Sequence, residues 1–375
     1  MGRMKLLSIR LKNFRKHKET NLTFSKKLNF IVGSNGAGKT TILEGIYYLC
    51  TNRNFNTRND SEVVFLGENN FEIEGKIKTK NENKVRVYYS LDNNKKTYLK
   101  NDKKINKTTE IIGSFPIVTL TPADLFLTKG FPGDRRKFFD SILCQASETY
   151  LKNLLDYNKT IKQRAALLFL LKNNSSNQLF NELESWNEKL IQSGIYLIKK
   201  RFGFINEFKK YVMNSYLEIM ENEEKPNIVY SFLSSEEQNI TNLEEKFRNQ
   251  LKLKKEDELK RSVNLVGPHK DEFIFLLDNI ELKKYGSQGQ HKTFQIALRF
   301  AEFFYLKQLS GTTPMFLLDD VFGKLDSLRA KKISSYLRKV GQAFVTVTDL
   351  ADFSFFDKQN DDKIIKVNEG VAKYA

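Results

Sequence analysis

The feature that most constrains this chain is a glycine-rich segment from Gly33 to Thr40, which reads G-S-N-G-A-G-K-T. It follows a short apolar run, Leu28–Val32, and it precedes a stretch of helical periodicity that extends to about Cys50. Strand, glycine loop and helix in this order, with the pattern G-x-x-x-x-G-K-[ST], are typical of a loop whose backbone N–H groups surround phosphates at a helix start. The sequence therefore predicts an α/β lobe that binds a nucleotide.

Each part of this loop has an expected role with ATP. The glycines allow the backbone to turn its N–H groups inward, and Lys39 is expected to neutralise the β- and γ-phosphates during catalysis. The hydroxyl of Thr40 is expected to bind Mg²⁺. The residues that we expect to contact ATP here are Gly33, Ser34, Asn35, Gly36, Ala37, Gly38, Lys39, Thr40 and Thr41.

A second apolar run ends in two acidic residues. Met315–Leu318 has the composition of a buried strand, and Asp319 and Asp320 follow it directly. In P-loop enzymes a carboxylate at the end of such a strand holds the Mg²⁺ that accompanies ATP. We expect Asp319 to hold Mg²⁺ together with Thr40, and Asp320 to act as the catalytic carboxylate that polarises the attacking water.

A Ser-x-Gly-Gln turn indicates which class of P-loop enzyme this is. Ser287, Gln288, Gly289 and Gln290 precede a segment of strong helical periodicity, and a capped helix start is a second phosphate-binding device. The turn lies about 250 residues after the first loop and shortly before Asp319. This is the order of an ABC ATPase, in which the turn of one subunit covers the γ-phosphate held by the loop of the other. We therefore expect these four residues to contact ATP across an ATP-dependent homodimer.

The rest of the chain divides into a β-rich part and a helical part. Alternating segments from Phe71 to Leu99 predict an antiparallel meander. Apolar residues recur at helical spacing from Leu151 to Ile219 and from Leu243 to about Leu259, and the break at residues 222–227 predicts two antiparallel helical arms. We expect lobe I to comprise residues 1–120 and 300–375, and the inserted helical lobe II to comprise residues 121–299.

Several segments along nearly the whole chain resemble the RecF family of bacterial ATPases, which is related to Rad50 and the SMC proteins. The matching segments, in order, are Leu11–Arg15, Gly33–Leu49, Thr121–Leu125, Arg135–Asp140, Gly267–Glu272, Gly286–Gln290 and Leu317–Asp320. The resemblance implies an ABC-type P-loop ATPase head of mixed sheets and helices (lobe I) with an inserted, mainly helical lobe II.

The same resemblance implies a function in DNA replication, recombinational repair and the SOS response. It implies a cytoplasmic, nucleoid-associated protein that binds double-stranded DNA and gapped or junction DNA. It also implies slow, DNA-stimulated ATP hydrolysis, and help from RecR and RecO in loading a recombinase.

The net charge and the apolar segments bear on the choice of partner. The formal net charge is +17, which favours nucleic acid or an acidic membrane surface, although a lysine-rich proteome gives the same excess. The most apolar run, Ala165–Leu171, is far shorter than the ~20 residues that span a bilayer. We therefore expect no membrane partner, and we expect the basic clusters of the helical arms to follow the backbone of a duplex. These clusters are Lys199–Arg201, Lys209–Lys210, Lys252–Lys255 and Lys260–Arg261.

Two segments depart from the family pattern and bear on the class of ATPase. The D-loop, usually S-E-L-D, reads Gly323–Asp326 here, and Thr348 and Asp349 stand where transporter ATPases carry a switch histidine. The second departure, together with Asp320 in place of glutamate, argues against the cytoplasmic ATPase subunit of a transporter. A small-molecule kinase and another Rad50- or SMC-like ATPase also share the glycine loop. The kinase would need no Ser287 turn, and a nuclease-associated Rad50 would need longer arms.

The sequence leaves the roles of four further residues open. His291 follows the Ser287 turn and is a candidate for contact with nucleotide across the dimer, whereas His269 is expected to fix a turn in the second lobe. Arg135 and Arg136 are candidates for contact with nucleotide, with the second lobe or with DNA, and a solvated helix face explains them equally well.

Overall fold

The computed structural model describes residues 2–57, 59–174, 176–220, 224–233, 240–348, 356 and 359–375. The chain forms two compact units. Unit 1 comprises Met1–Asp124, Asn214–Glu223 and Gln295–Ala375, and unit 2 comprises Leu125–Met213 and Glu224–Phe294. Two of the changes of unit follow Asp124 and Phe294. The short stretch 214–223, which the sequence analysis places in the helical lobe, belongs to unit 1.

The N-terminal part of unit 1 is rich in β-strands. Its elements are β1 Gly2–Arg3, β2 Lys5–Phe14, β3 His17–Thr23, β4 Leu28–Val32, α1 Lys39–Thr51, β5 Asn70–Lys78, β6 Glu82–Ser90, β7 Lys95–Lys100, β8 Lys103–Ile105, α2 Thr108–Ile111 and β9 Ile117–Leu120. Six of these strands form an antiparallel sheet in the order β3-β2-β5-β6-β7-β8. Its alternating side chains, such as Phe71, Ile73 and Ile77, are buried against α1, so the predicted meander is present.

Unit 2 is mainly helical. The elements of the middle of the chain are α3 Leu125–Lys129, α4 Pro132–Ala146, α5 Glu148–Asn173, α6 Asn177–Ile219, β10 Pro226–Ser231, α7 Leu243–Arg261, β11 Glu272–Leu277, β12 Ile280–Glu281, α8 Leu282–Tyr285 and α9 Gln288–Ser310. The 43 residues of α6 correspond to a helix of ~65 Å. Residues 222 and 223 of the predicted break lie outside the described residues, and the chain then forms a three-stranded sheet in the order β10-β11-β12, which the sequence analysis missed. No helix in the described ranges has both the length and the apolar character needed to cross a bilayer.

The C-terminal part completes a largely parallel sheet in unit 1. Its elements are β13 Thr312–Thr313, β14 Met315–Leu318, α10 Ser327–Leu337, β15 Ala343–Val347, β16 Lys363–Asn368 and β17 Val371–Tyr374. The sheet order is β17-β16-β4-β15-β14-β9, in which β17 alone is antiparallel to its neighbour. Strands β4, β14 and β15 are buried along their whole length, as continuous apolar runs in a parallel sheet require. Their carboxyl ends meet at one edge, where parallel sheets bind ligands.

Candidate nucleotide-binding site

The glycine-rich loop leaves β4 at this edge and leads directly into α1. Gly36 and Gly38 have φ angles of +76° and +109°, a region that side chains with a Cβ rarely adopt. A Cβ on Gly38 would also lie 2.9 Å from Nε2 of His17. The backbone N–H of Gly33 donates to the carbonyl of Val347 at 3.3 Å, which fixes the start of the loop to β15. The loop therefore has the backbone conformation that the sequence motif requires, and the bond to Val347 fixes its start.

Lys39 lies against the carbonyl oxygens of its own loop. Its Nζ donates to Gly33 O at 2.6 Å and to Ser34 O at 3.0 Å. Burial lowers the pKa of Lys39, whereas the nearby carboxylates of Asp320 and Asp319 raise it. Neutral carbonyls are weaker partners for an ammonium group than phosphate oxygens are. The loop therefore holds the ammonium group of Lys39 at a position where the phosphates of a bound nucleotide would be stronger hydrogen-bond partners than the carbonyls are.

Thr40 and Asp319 lie together at the mouth of the loop. The Thr40 hydroxyl is 2.8 Å from one carboxylate oxygen of Asp319 and 3.0 Å from the other. Burial raises the pKa of Asp319, and hydrogen bonds from Thr40 and Thr346 oppose that rise. A hydroxyl and one carboxylate are oxygen ligands of the kind that Mg²⁺ takes when phosphates and waters complete its shell. The chemistry of these two donors therefore fits the metal.

Thr346 connects the two acidic residues, and the sequence analysis missed it. Its hydroxyl donates to an Asp319 carboxylate oxygen at 2.9 Å and accepts from the backbone N–H of Asp320, also at 2.9 Å. Asp320 itself has a φ of +48°, so its backbone leaves the strand in a left-handed turn. The only sequence signal for Thr346 was a polar residue in the apolar run that becomes β15.

The turn between β2 and β3 supports the loop from behind, which the sequence analysis also missed. The buried ring of His17 hydrogen-bonds to Gly38 O at 3.0 Å and to the Thr20 hydroxyl at 2.8 Å. Burial lowers the pKa of His17, although the bond to Gly38 opposes this. Lys16 Nζ donates to Gly36 O at 2.5 Å. A histidine two residues after the L-K-N-F-R segment was the available signal.

The Ser287 turn belongs to unit 2 and caps α9. The Ser287 hydroxyl accepts from the backbone N–H of Gln290 at 3.2 Å, and Gln290 Oε1 accepts from the backbone N–H of Ser287 at 2.8 Å. This reciprocal pair is a capping box. Ser287 and Gln288 are exposed, so the start of α9 is accessible within unit 2. The structure thus brings together the Gly33–Thr40 loop, Asp319 and Asp320 in unit 1 and places the Ser287 turn in unit 2.

The D-loop is described by the structure, whereas the switch position is described only in part. Asp326 is the N-cap of α10, since its carboxylate accepts from the backbone N–H of Arg329 at 2.9 Å. That bond is the main cause that lowers the pKa of Asp326. The acid of the D-loop therefore has a structural role in this chain. Of the switch position, Thr348 is described, while Asp349 lies outside the described residues.

Several of the open candidates are buried within unit 2. His291 is buried, and burial lowers its pKa. His269 bonds to the Tyr157 hydroxyl at 2.6 Å and to Asn264 O at 3.1 Å, which confirms the prediction that it fixes a turn. Arg135 pairs with Glu272 through two hydrogen bonds of 2.8 and 2.9 Å, and Arg136 donates to Asp271 O at 2.6 Å. The two arginines join α4 to the start of β11.

The assignment of Arg201 to a basic surface cluster was wrong. Arg201 is buried, and it donates to both carboxylate oxygens of Asp140 at 3.0 and 2.9 Å and to Pro268 O at 2.7 Å. It also lies 3.5 Å from the buried carboxylate of Asp271. Its neighbours Lys199 and Lys200 are exposed. Helical spacing explains the error, because Arg201 follows Leu197 by one turn on the buried face of α6.

Comparisons with known proteins identify the family of the chain. The family described as the RecF/RecN/SMC N terminal domain matches residues 5–372. The DNA replication and repair protein RecF of Chloroherpeton thalassium is 37% identical over 362 residues, which cover 94% of this chain and 96% of that protein. The corresponding protein of Salinibacter ruber is 37% identical over 356 residues, covering 93% and 86%.

Solved structures show the same relationship. The recombination mediator protein RecF-ATP of the RecFOR pathway superimposes with a TM-score of 0.90 at 31% identity, covering all of this chain and 98% of that one. The Smc head domain of Pyrococcus furiosus has a TM-score of 0.58 at 16% identity and covers 99% and 96%, which shows a shared fold. The chain therefore belongs to the RecF family, within the wider RecF/RecN/SMC group of proteins.

Proposed function

We propose that this chain is an ATP-dependent DNA-binding protein of recombinational repair and replication. Two copies close on duplex, gapped or junction DNA when they bind ATP, and slow hydrolysis reopens them. The observation that carries this proposal is the preorganised pair of Thr40 and Asp319, 2.8 Å apart, beside a glycine loop that holds Lys39. The solved relative with ATP, and the curated relatives of replication and repair, support it.

The residues of unit 1 have distinct roles in hydrolysis. Backbone N–H groups of Gly33–Thr41 bind the phosphates, and Lys39 exchanges its loop carbonyls for the β- and γ-phosphates. Thr40 and Asp319 would hold Mg²⁺, which neutralises charge on the phosphates when it is bound. Asp320 orients the attacking water and accepts its proton, and Thr346 positions both acids.

The Ser287 turn completes the site of the partner copy. An exposed, capped helix start offers N–H groups and a favourable dipole to the γ-phosphate. Ser287, Gln288, Gly289 and Gln290 of one protomer would thus contact the nucleotide bound by the other. Because this contact exists only in the closed dimer, ATP binds the closed state more tightly than the open state and shifts the equilibrium towards closure. ADP lacks the γ-phosphate and therefore does not make this contact. RecR and RecO would act on the DNA-bound dimer to help load a recombinase.

Sedimentation of the protein with ATP and Mg²⁺ tests the dimer. We expect ATP to shift the wild type from monomer to dimer and Lys39→Ala to remain a monomer that no longer binds a fluorescent ATP analogue. Ser287→Asp keeps a capping carboxylate but repels the γ-phosphate. It should therefore bind the analogue and melt at the wild-type temperature, yet remain monomeric. If Ser287→Asp dimerises like the wild type, the cross-subunit contact is wrong.

A further inference from the structure

Three consecutive carbonyl groups of the glycine loop accept hydrogen bonds from other segments of unit 1. The acceptors are the carbonyl oxygens of Gly36, Ala37 and Gly38. The donors, in the same order, are Lys16 Nζ at 2.5 Å, the backbone N–H of Gly370 at 2.9 Å and Nε2 of His17 at 3.0 Å. Because a carbonyl oxygen only accepts, Nε2 is the ring nitrogen of His17 that carries the proton facing the loop.

Two hairpin turns carry these donors. Lys16 lies in the two-residue turn between β2 and β3, and Gly370 lies in the turn between β16 and β17. A Cβ on Gly370 would overlap the carbonyl group of Lys16, so the two turns touch at a point where only glycine fits. The Thr20 hydroxyl oxygen also joins them, because it lies 2.8 Å from Nδ1 of His17 and 3.5 Å from Gly370 O. The three donors therefore belong to one connected network.

The turn between β2 and β3 holds a strained backbone conformation. Arg15 has a φ of +50°, in the left-handed region that few residues other than glycine adopt. Its backbone N–H donates to Val63 O at 2.7 Å, and its guanidinium lies 2.5 Å from the buried carboxylate of Glu44 on α1. Strained backbone that its surroundings hold in place is concentrated at functional sites. The strain at Arg15 secures the positions of Lys16 and His17 beside the loop.

These hydrogen bonds act on the N–H groups of the loop through its peptide units. The carbonyl of one residue and the N–H of the next belong to one peptide unit, so a donor at the carbonyl polarises that N–H. The N–H groups concerned are those of Ala37, Gly38 and Lys39, within the segment that the motif assigns to phosphate. In the structure the N–H of Ala37 donates to Ser34 O at 3.2 Å, a weaker acceptor than a phosphate oxygen. Lys16 adds a full positive charge to the same part of the loop.

We propose that Lys16 and His17 are positioning residues for ATP, which strengthen the phosphate-binding N–H groups of the loop without touching the nucleotide. The inference rests on the proposed function in that the loop is taken as the phosphate site. Lys39 has a different role, because it exchanges its carbonyl partners for phosphate oxygens. Since the loop holds the phosphates both before and during hydrolysis, the loss of either donor raises KM and leaves kcat nearly unchanged.

Binding of a fluorescent ATP analogue to the full chain, with tripolyphosphate as competitor, tests this inference. Lys16→Met keeps the length of the side chain but removes its charge and its donor, whereas Lys16→Arg keeps both. Lys18→Met is the matched control, since Lys18 is an exposed lysine of β3. We expect Lys16→Met to bind the analogue and tripolyphosphate at least about fivefold more weakly, because a charge near the phosphates is lost. Lys16→Arg and Lys18→Met should bind both like the wild type.

A pair of variants tests His17 in the same assay. His17→Leu removes the donor to Gly38, whereas the longer amide side chain of His17→Gln supplies an N–H in place of Nε2. We expect His17→Gln to bind the analogue and tripolyphosphate at least about threefold more tightly than His17→Leu does. Melting temperatures show that each variant is folded. In steady-state hydrolysis, Lys16→Met should raise KM and keep kcat within about twofold of the wild-type value.

The outcomes separate this inference from the proposed function. If the wild type binds neither the analogue nor tripolyphosphate, both are wrong. If the wild type binds them and Lys16→Met binds them equally well, the proposed function stands and the inference is wrong. Weaker binding of the analogue alone would overturn it too, because Lys16 would then contact the base or the sugar. If ATP fails to dimerise the wild type while Lys16→Met still binds tripolyphosphate more weakly, the dimer is wrong and the inference stands.

Discussion

At the scale of single residues, the geometry of the candidate nucleotide site depends on hydroxyl groups that position its acidic residues. Thr346 illustrates this, because one hydroxyl orients Asp319 and also satisfies the backbone N–H of Asp320. The Asp320 backbone is in the left-handed region, where a non-glycine residue needs support from its surroundings. Thr346 is therefore a positioning residue for both acids.

Replacing Thr346 by valine should separate catalysis from binding. Valine has the same shape but cannot bond either partner, so the backbone N–H of Asp320 loses its acceptor, at a cost of about 1–3 kcal/mol in stability. We expect ATP hydrolysis to fall at least about tenfold, while the affinity for ATP without Mg²⁺ stays near that of the wild type. Thr346→Ser, which keeps the hydroxyl, serves as the control. Equal turnover by the valine variant and the wild type would show that Thr346 does not position the acids.

We expect Glu302 to give unit 1 a pH-dependent stability. It is buried on α9 beside Arg299, which donates to it at 2.8 Å, and burial raises its pKa to about 7 although Arg299 opposes the rise. A carboxyl whose folded pKa lies above its unfolded value binds more protons when folded. The wild type should therefore lose on the order of 3 kcal/mol from this group as pH rises from about 4.5 to 7.

Denaturant unfolding at several pH values tests this expectation against Glu302→Gln. The free energy of unfolding of the variant, relative to the wild type, should increase between pH 4.5 and 7 and stay constant above. Parallel curves for the two proteins across that range would contradict a raised pKa for Glu302.

At the scale of elements, long helices carry both solvated and buried cations. On α6, Arg201 faces inward and joins Asp140 of α4 to the loop around Pro268, whereas Lys200 faces solvent. A buried cation between two carboxylates stabilises unit 2 chiefly because its removal would leave Asp140 and Asp271 without their counter-charge.

Arg201→Met should destabilise the protein by about 3–5 kcal/mol. Lys200→Met, on the same helix turn, should change the stability by no more than about 0.5 kcal/mol. Thermal and denaturant unfolding of the two variants provide the comparison. If both changes are equally mild, the Arg201 network does not hold the elements of unit 2 together.

The elements that follow one clear periodicity could be predicted from the sequence. Strand β4, helix α1 and the apolar strand before Asp319 were predicted almost to the residue, because burial on both faces or on one stripe determines their patterns. The pairing of β10 with β11 was missed because forty residues separate the two strands and each is short. Thr346 and His17 were missed because their roles come from tertiary hydrogen bonds, which leave no periodic signal.

At the scale of the whole molecule, the net charge of +17 favours a polyanionic partner. The exposed Lys199 and Lys200 on α6 remain predicted duplex contacts. The candidate nucleotide site lies at the carboxyl edge of the parallel sheet. In the proposed function, ATP controls the part of the DNA affinity that depends on closing the dimer.

The most direct test of the central claim is duplex DNA binding against salt with ATP, with ADP and without nucleotide, for the wild type and Asp320→Asn. We expect ATP to tighten binding by the wild type, and the variant to stay bound because it binds ATP but hydrolyses it slowly. We also expect a steep salt dependence, with a log–log slope near −0.9 for each phosphate contact. Binding that is the same in all three nucleotide states for both proteins would contradict the account, because ATP would then control a partner other than DNA.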